Sequence, residues 1–222
     1  MPPSTLVSLL ALGVVVAVPI VSLYRHWGHS EPPDWPRLRR GLALNAALLV
    51  GVVTLVAATG SPADAGLTVP SVGAIVDGFL FGFIAFGGTM LAVALLAKFR
   101  GGVSADPASL VVFEQPLHRR LAVAATGATV EALLFFGVAI EAILALGGGP
   151  YVAGAVSAAG LLAVRARFSV KNAVQWVPGA AVLSGIALIS GTVVPVLLVR
   201  LLYDSLTLAS GEKGDYVTDS DA

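Results

Sequence analysis

Long apolar runs separated by short polar segments dominate the chain. The runs cover residues 5–24, 41–58, 71–97, 121–146, 151–164, 173–189 and 192–208. A hydrocarbon core about 30 Å thick takes roughly 20 helical residues at a rise of 1.5 Å each. The pattern therefore predicts an all-α polytopic membrane protein of about seven transmembrane helices. The run at 151–164 is short. Its helix is expected to start at Pro150, a residue suited to a first helical turn, and to gain length from Ala166 and Phe168. Residues 1–24 carry no basic leader and no small-x-small cleavage pattern, so they read as a retained helix. Gly78, Gly82 and Gly87 in the third run, with Gly154, Ser157 and Gly160 in the fifth, predict close backbone approach between helices.

The connecting segments alternate in charge. Arg25, Arg37, Arg39 and Arg40 lie in the first, Lys98, Arg100, Arg119 and Arg120 in the third, and Arg165, Arg167 and Lys171 in the fifth. The second, fourth and sixth hold no Lys or Arg. Cytoplasmic loops are the ones enriched in these residues, so the alternation predicts an N-terminus outside and a C-terminus in the cytoplasm. Residues 1–208 are expected to form one helical domain. Residues 209–222 form an acidic, small-residue tail with the composition of a disordered segment. The third connection is long enough for a short surface helix near residues 107–114. In the first, the Glu31–Pro36 stretch reads as a stiff extended connector, with Tyr24, Trp27 and Trp35 as interfacial anchors.

Composition narrows the function classes. The chain is 57% hydrophobic and 12% charged, with mean hydropathy +0.91, which excludes an ordinary soluble domain. Lys plus Arg equals Asp plus Glu at 13 each, so no basic excess points to nucleic acid. With no cysteine, disulfides, thiolate metal sites and cysteine nucleophiles are excluded. Phosphate-binding motifs are absent, since Gly147–Gly149 carry no lysine. The expected partners are the lipid bilayer and a membrane protein or peptide, with no cofactor and no metal.

Within so apolar a chain the informative residues are the charges inside the runs. Glu131 stands about ten residues into the fourth run, about 15 Å from its cytoplasmic end, and Arg200 about 12 Å from the same end of the seventh. The two share a level and are expected to pair. Asp204, one turn beyond Arg200 on the same face, can hold the same guanidinium. A charge inside a span costs roughly 2.5 to 3.5 kcal/mol on insertion scales, so it faces a partner or a watered cavity. The plain reading is a buried ion cluster that fixes helix register. The chemical one makes Glu131 a base that activates water, with Arg200 restricted to stabilising negative charge, because a guanidinium does not deprotonate in proteins. Asp77 and Glu141 lie nearer the opposite surface and are secondary. His26, His29, Glu31 and Asp34 are close in sequence, but their proline-rich segment lacks helical i, i+4 spacing, so solvated loop residues are expected rather than a metal site. His118 reads as part of a basic cluster with Arg119 and Arg120.

These residues also carry a family resemblance. Residues 124–137, AATGATVEALLFFG, resemble the first motif of the CPBP family (CAAX proteases and bacteriocin-processing enzymes), in which Glu-Glu-x-x-x-Arg precedes a glycine. Aligned on Gly137, Glu131 falls on the first glutamate, Ala132 on the second and Phe136 on the arginine. Residues 190–205, SGTVVPVLLVRLLYDS, resemble the last motif, with Arg200 on its histidine and Asp204 on its final polar residue. Gly160 and Val164 fall on the Phe-x-x-x-His of the second motif. The resemblance spans about residues 66–206. It implies a CAAX-protease-like bundle, an intramembrane endopeptidase fold whose glutamate and histidines cleave peptide bonds. Both histidines, the second glutamate and the arginine are replaced here, and two carboxylates beside a fixed cation are too few ligands for zinc. The expectation is a non-catalytic relative, a pseudoenzyme binding membrane proteins or peptides, with Glu131, Arg200 and Asp204 as the remnant of the catalytic site. Two alternatives stay open: an active intramembrane protease using Glu131 and Asp204, and a small transporter or channel. The last gets no support from sequence symmetry, because no internal repeat is visible.

Overall fold

The computed structural model describes residues 3–26, 34–59, 63, 66–68, 71–99, 107–166 and 170–210. Among them the chain is all-helical, with no strand. The helices are α1 (Pro3–His26), α2 (Trp35–Thr59), α3 (Val72–Phe99), α4 (Pro107–Phe113), α5 (Leu117–Glu131), α6 (Ile140–Ala145), α7 (Pro150–Ala166), α8 (Val170–Ser190) and α9 (Val194–Ser210). A π-helical segment, Ala132–Ala139, joins α5 to α6 in one continuous rod. Four helical stretches are long and apolar enough to cross a membrane: Trp35–Ala58, Ile75–Leu96, Leu117–Ala145 and Ala173–Ser190. Two shorter apolar ones, Thr5–Val21 and Pro150–Ala166, accompany them. These helices fit a membrane location.

The rod formed by α5, the π-segment and α6 is the centre of the bundle. Its apolar window is 67% buried, against 17% for those of α2 and α3, so α2 and α3 lie at the periphery. α7 packs on α8, α5 on α9, and α3 against both α8 and α9, while α1 covers α7, α6 and the π-segment. α3 shows how the periphery works. Phe81 and Ile84 point outward, each 72% exposed, while the other side approaches its neighbours through glycines. A Cβ on Gly78 would meet Pro195 at 2.9 Å, and one on Gly82 would meet Ile186 at 3.0 Å and Val199 at 3.2 Å. Lipid tails are as apolar as these side chains, so close van der Waals fit rather than water exclusion holds such contacts.

The two ends of the bundle are tied differently. At one, the loop end, residues 66–68 lie on the turn before α9. Val193 N donates to Gly66 O at 3.0 Å, Thr192 Oγ1 sits 3.1 Å from both Gly66 O and Thr68 O, and Thr68 Oγ1 donates to Gly191 O at 3.1 Å. Gly66 has φ +68°, and a Cβ there would stand 3.1 Å from Gly137 Cα, so both conformation and space require glycine. At the other, the α4 end, Arg120 donates to Gln115 O (2.8 Å), Leu208 O (3.5 Å) and Phe113 O, joining α4 and the end of α9 to the first turn of α5. Arg119 lies over the Trp35 ring, 5.9 Å from its centroid.

Several expectations are corrected. The fourth apolar run is not one regular α-helix, because the π-segment interrupts it directly after Glu131. The fifth helix starts at Pro150 and takes in Ala166, both as expected, which moves Arg165 from the fifth connection into the helix. Gly87 makes no close approach, as a Cβ there would meet nothing within 4 Å. The short helix expected near residues 107–114 is α4. Ala209 and Ser210 end α9, and the rest of the acidic tail, residues 211–222, lies outside the described residues, as do His29 and Glu31. Asp34 directly precedes α2 and caps it: Arg37 N donates to its Oδ1 at 2.9 Å.

Candidate functional site

Glu131 is the last residue of α5, about 21 Å along the helix from Leu117. The π-turns that follow bond i to i+5 and carry an extra residue, which re-aims the side chains on either side. Two features of α7 accommodate the widened turn. Ser157 Oγ donates to Phe135 O at 2.7 Å, giving a carbonyl within the π-segment a buried donor. Gly160 makes room for the Phe135 ring, which a Cβ would meet at 2.7 and 2.8 Å. Together they fix the rod against α7 just beyond Glu131.

Four charges, Glu131 among them, converge from three helices. Arg200 Nη2 donates to Glu131 Oε2 at 2.5 Å, and Arg165 Nη2 donates to the same oxygen at 2.6 Å. Arg200 Nη2 also lies 2.9 Å from Asp204 Oδ2, one turn along α9. Both carboxylates therefore hold Arg200, and the cluster is neutral with two charges of each sign. Arg200 is fully buried, whereas the side chains of Arg165, Glu131 and Asp204 are 15–16% exposed. Such residual access at mid-helix depth suits contact with water more than with lipid. Nε and Nη1 of Arg200 are buried without a hydrogen-bond partner among the described residues. Donors of this kind commonly bind internal water.

An aromatic wall stands behind the guanidiniums. Trp176 of α8 lies 4.3 Å from Arg165 Cζ and 4.9 Å from Arg200 Cζ, both within cation–π range. Phe86 of α3 meets Tyr203 of α9 edge-on at 4.9 Å, and Trp176 lies 6.0 Å from Phe86 and 6.4 Å from Tyr203. The cluster thus joins α5, α7 and α9 through charge, and α3 and α8 through the rings.

The structure brings Glu131, Arg200 and Asp204 together and adds Arg165 and Trp176, which the sequence reading omits. The shortness of the apolar run at 151–164 was a signal for Arg165, since a helix extended to Ala166 must carry Arg165 in its last turn. Trp176 gave no comparable signal. Asp77 is exposed on α3, Glu141 is half-buried in α6 and His118 is exposed at the start of α5. Among the described residues no group of three or more His, Cys, Asp or Glu could hold a metal ion.

Chemically, the arrangement favours holding over reacting. Both guanidiniums bond Glu131 Oε2, and an oxygen accepting two charge-assisted hydrogen bonds is poorly available to take a proton from water. Gly160 is filled over by Phe135 and Val164 is buried, so that face of α7 supplies no second base to the cluster. No family model, curated protein or solved structure matches this chain.

Proposed function

We propose that this chain is a seven-span membrane protein, N-terminus outside and C-terminus in the cytoplasm, that binds membrane proteins or peptides without cleaving them, a non-catalytic relative of the CPBP endopeptidases. The observation that carries the reading is the double engagement of Glu131 Oε2 by Arg165 and Arg200 at 2.6 and 2.5 Å. It leaves the one glutamate that matches the family motif bonded where a protease would need it free. Support for the orientation comes from the contrast between the 66–68 clasp, which bears no Lys or Arg, and the α4 end, where Arg119 and Arg120 lie. The 17-residue helices α7 and α9 are about 25 Å long, which suits a span whose flanks reach the interface.

Two experiments test this. Purified protein in liposomes is incubated with a library of membrane-peptide substrates, and products are read by mass spectrometry. No cleavage is expected from the wild type, and cleavage that Glu131→Gln abolishes would restore the endopeptidase reading. Because the chain has no native cysteine, single cysteines placed in each connection report sidedness through an impermeant thiol reagent. Labelling from the outside at residue 104 would overturn the orientation.

A further inference from the structure

We infer that Glu131 and Trp176 form a seat for a single guanidinium, filled in the resting protein by Arg165 from the same chain and open to an arginine of a bound peptide when Arg165 withdraws. This deepens, and rests on, the reading of the chain as a peptide-binding membrane protein.

The charges show why Arg165 is the exchangeable member. Glu131, Asp204 and Arg200 together carry a net charge of −1, and all three sit on the closely packed pair α5 and α9. Arg165 brings the balance to zero from a different helix. Arg200 is fully buried in mid-helix and held by two carboxylates, so it is fixed. Arg165 stands in the last turn of α7 and keeps 16% of its side chain exposed. α7 meets the rod through the π-segment and α6, whereas α5 lies against α9, α2 and α4, so Arg165 reaches Glu131 from a helix outside the α5–α9 pair. If Arg165 leaves, Glu131 keeps Arg200 and is not orphaned, so exchange strands no bare carboxylate.

The seat has two recognition elements besides its charge. Glu131 Oε2 accepts a guanidinium N–H at 2.6 Å, and the Trp176 ring lies 4.3 Å from the Arg165 Cζ. A planar, weakly hydrated guanidinium can satisfy both at once, whereas a lysine ammonium, a compact and strongly hydrated point charge, fits the ring less well. The ligand class is therefore an arginine side chain on a membrane-inserted peptide. The seated Arg165 displays its bound geometry.

The test uses full-length protein in lipid nanodiscs with Trp27 and Trp35 replaced by Phe, so that emission reports Trp176. Arg165→Ala empties the seat. Millimolar methylguanidinium is expected to raise the thermal midpoint of this variant and to change Trp176 emission saturably, while neutral methylurea does neither. Adding Glu131→Gln is expected to abolish the response. A hydrophobic peptide with one central arginine should bind Arg165→Ala at least about tenfold more tightly than wild type, since the internal occupant leaves the seat open in no more than about 10% of molecules. The citrulline version of the peptide is expected to show no such gain. If Arg165→Ala does not fold, Arg165→Gln and peptide titration of the wild type replace it. Equal binding of the arginine and citrulline peptides, or no response to methylguanidinium by a folded variant, overturns the seat. Methylguanidinium rescue without arginine-peptide binding keeps the seat and overturns the peptide ligand, and with it the reading on which this inference rests.

Discussion

Removing members of the four-charge cluster in different pairs should give sharply different losses of stability, because the bonds divide it in only some ways. Arg200 is fully buried and lies 2.5 Å from Glu131 and 2.9 Å from Asp204. At an effective dielectric constant of 20, two unit charges about 4 Å apart attract by about 4 kcal/mol, and desolvation offsets much of this. Truncating one partner of such a group costs about 3 to 5 kcal/mol, because a buried charge is left behind. In lipid the unfolded chain also finds polar partners, which moves the expectation to the lower end, about 3 kcal/mol. Arg200→Leu leaves two carboxylates with one guanidinium, and Glu131→Leu leaves two guanidiniums with one carboxylate. Each strands one unit of charge and should cost about that amount.

The pairs separate the cases. Glu131→Leu with Arg165→Met removes one bonded pair and leaves Arg200 with Asp204. Arg200→Met with Asp204→Leu leaves Glu131 with Arg165 at 2.6 Å. Both doubles are neutral and keep an intact ion pair, so each should recover most of the loss seen in its worse single variant. Glu131→Leu with Arg200→Met is neutral as well, but it takes from Arg165 and from Asp204 the partner each is paired with in the native cluster, so it should remain about 3 kcal/mol below wild type. The assay is reversible unfolding in bicelles, followed by Trp emission. Equal stability of the three doubles would refute the bonding pattern as the source of the effect, and a loss under about 1 kcal/mol in Arg200→Leu would refute the clamp itself.

Three further outcomes follow from the packing. Gly160→Ala puts a Cβ within 2.8 Å of the Phe135 ring and should cost about 1 to 3 kcal/mol in the same unfolding assay, whereas Gly87→Ala, with open space around it, should be neutral or slightly stabilising. Ser157→Ala removes the buried side-chain donor to Phe135 O. A loss of about 1 to 3 kcal/mol is expected, with faster amide exchange confined to residues 132–140, and uniform exchange across the rod would count against a local role. Thr192→Val removes the hydroxyl bonded to Gly66 O and Thr68 O and should make the 66–68 segment the first site of limited proteolysis, a change that unaltered cleavage kinetics would exclude.

The helices and the Glu131–Arg200–Asp204 group were legible because both depend on one number, the 1.5 Å rise per residue. It sets how many apolar residues make a long helix and which charges on neighbouring helices share a level. What escaped depends on side-chain reach and local backbone register. The π-segment adds its extra residue without any compositional mark, so Ala132–Ala139 reads like any apolar helix. Arg165 ends an apolar run and sits beside Arg167 in sequence, which gives it the look of a loop charge, yet its long side chain returns to Glu131. Trp176 has the composition of an interfacial anchor and gains its role from Phe86, Tyr203 and two guanidiniums on other helices. Gly78, Gly82 and Gly87 look alike in sequence, but only a neighbour of the right height makes a glycine a contact, and Gly87 has none.

The ties also separate a fixed pair of helices from the one charge that reaches it from outside. α9 is fastened to the α5 rod and its surroundings at three heights: by Gly66 on Val193 and Thr192 near Gly137, by Glu131 on Arg200, and by Arg120 on Leu208 O. In lipid, where apolar burial does not drive helices together, such polar ties at fixed intervals specify register, so α9 and α5 behave as one body. α7 meets that body through the π-segment, at Ser157 and Gly160, and again at its far end through Arg165. Between these points α5 lies against α9, α2 and α4. The α7 end is thus joined to the α5–α9 pair by the Arg165 guanidinium seated on a shared carboxylate oxygen, while α7 itself packs on α8. A ligand that takes that seat would displace the Arg165 side chain while leaving the α5–α9 bonds in place.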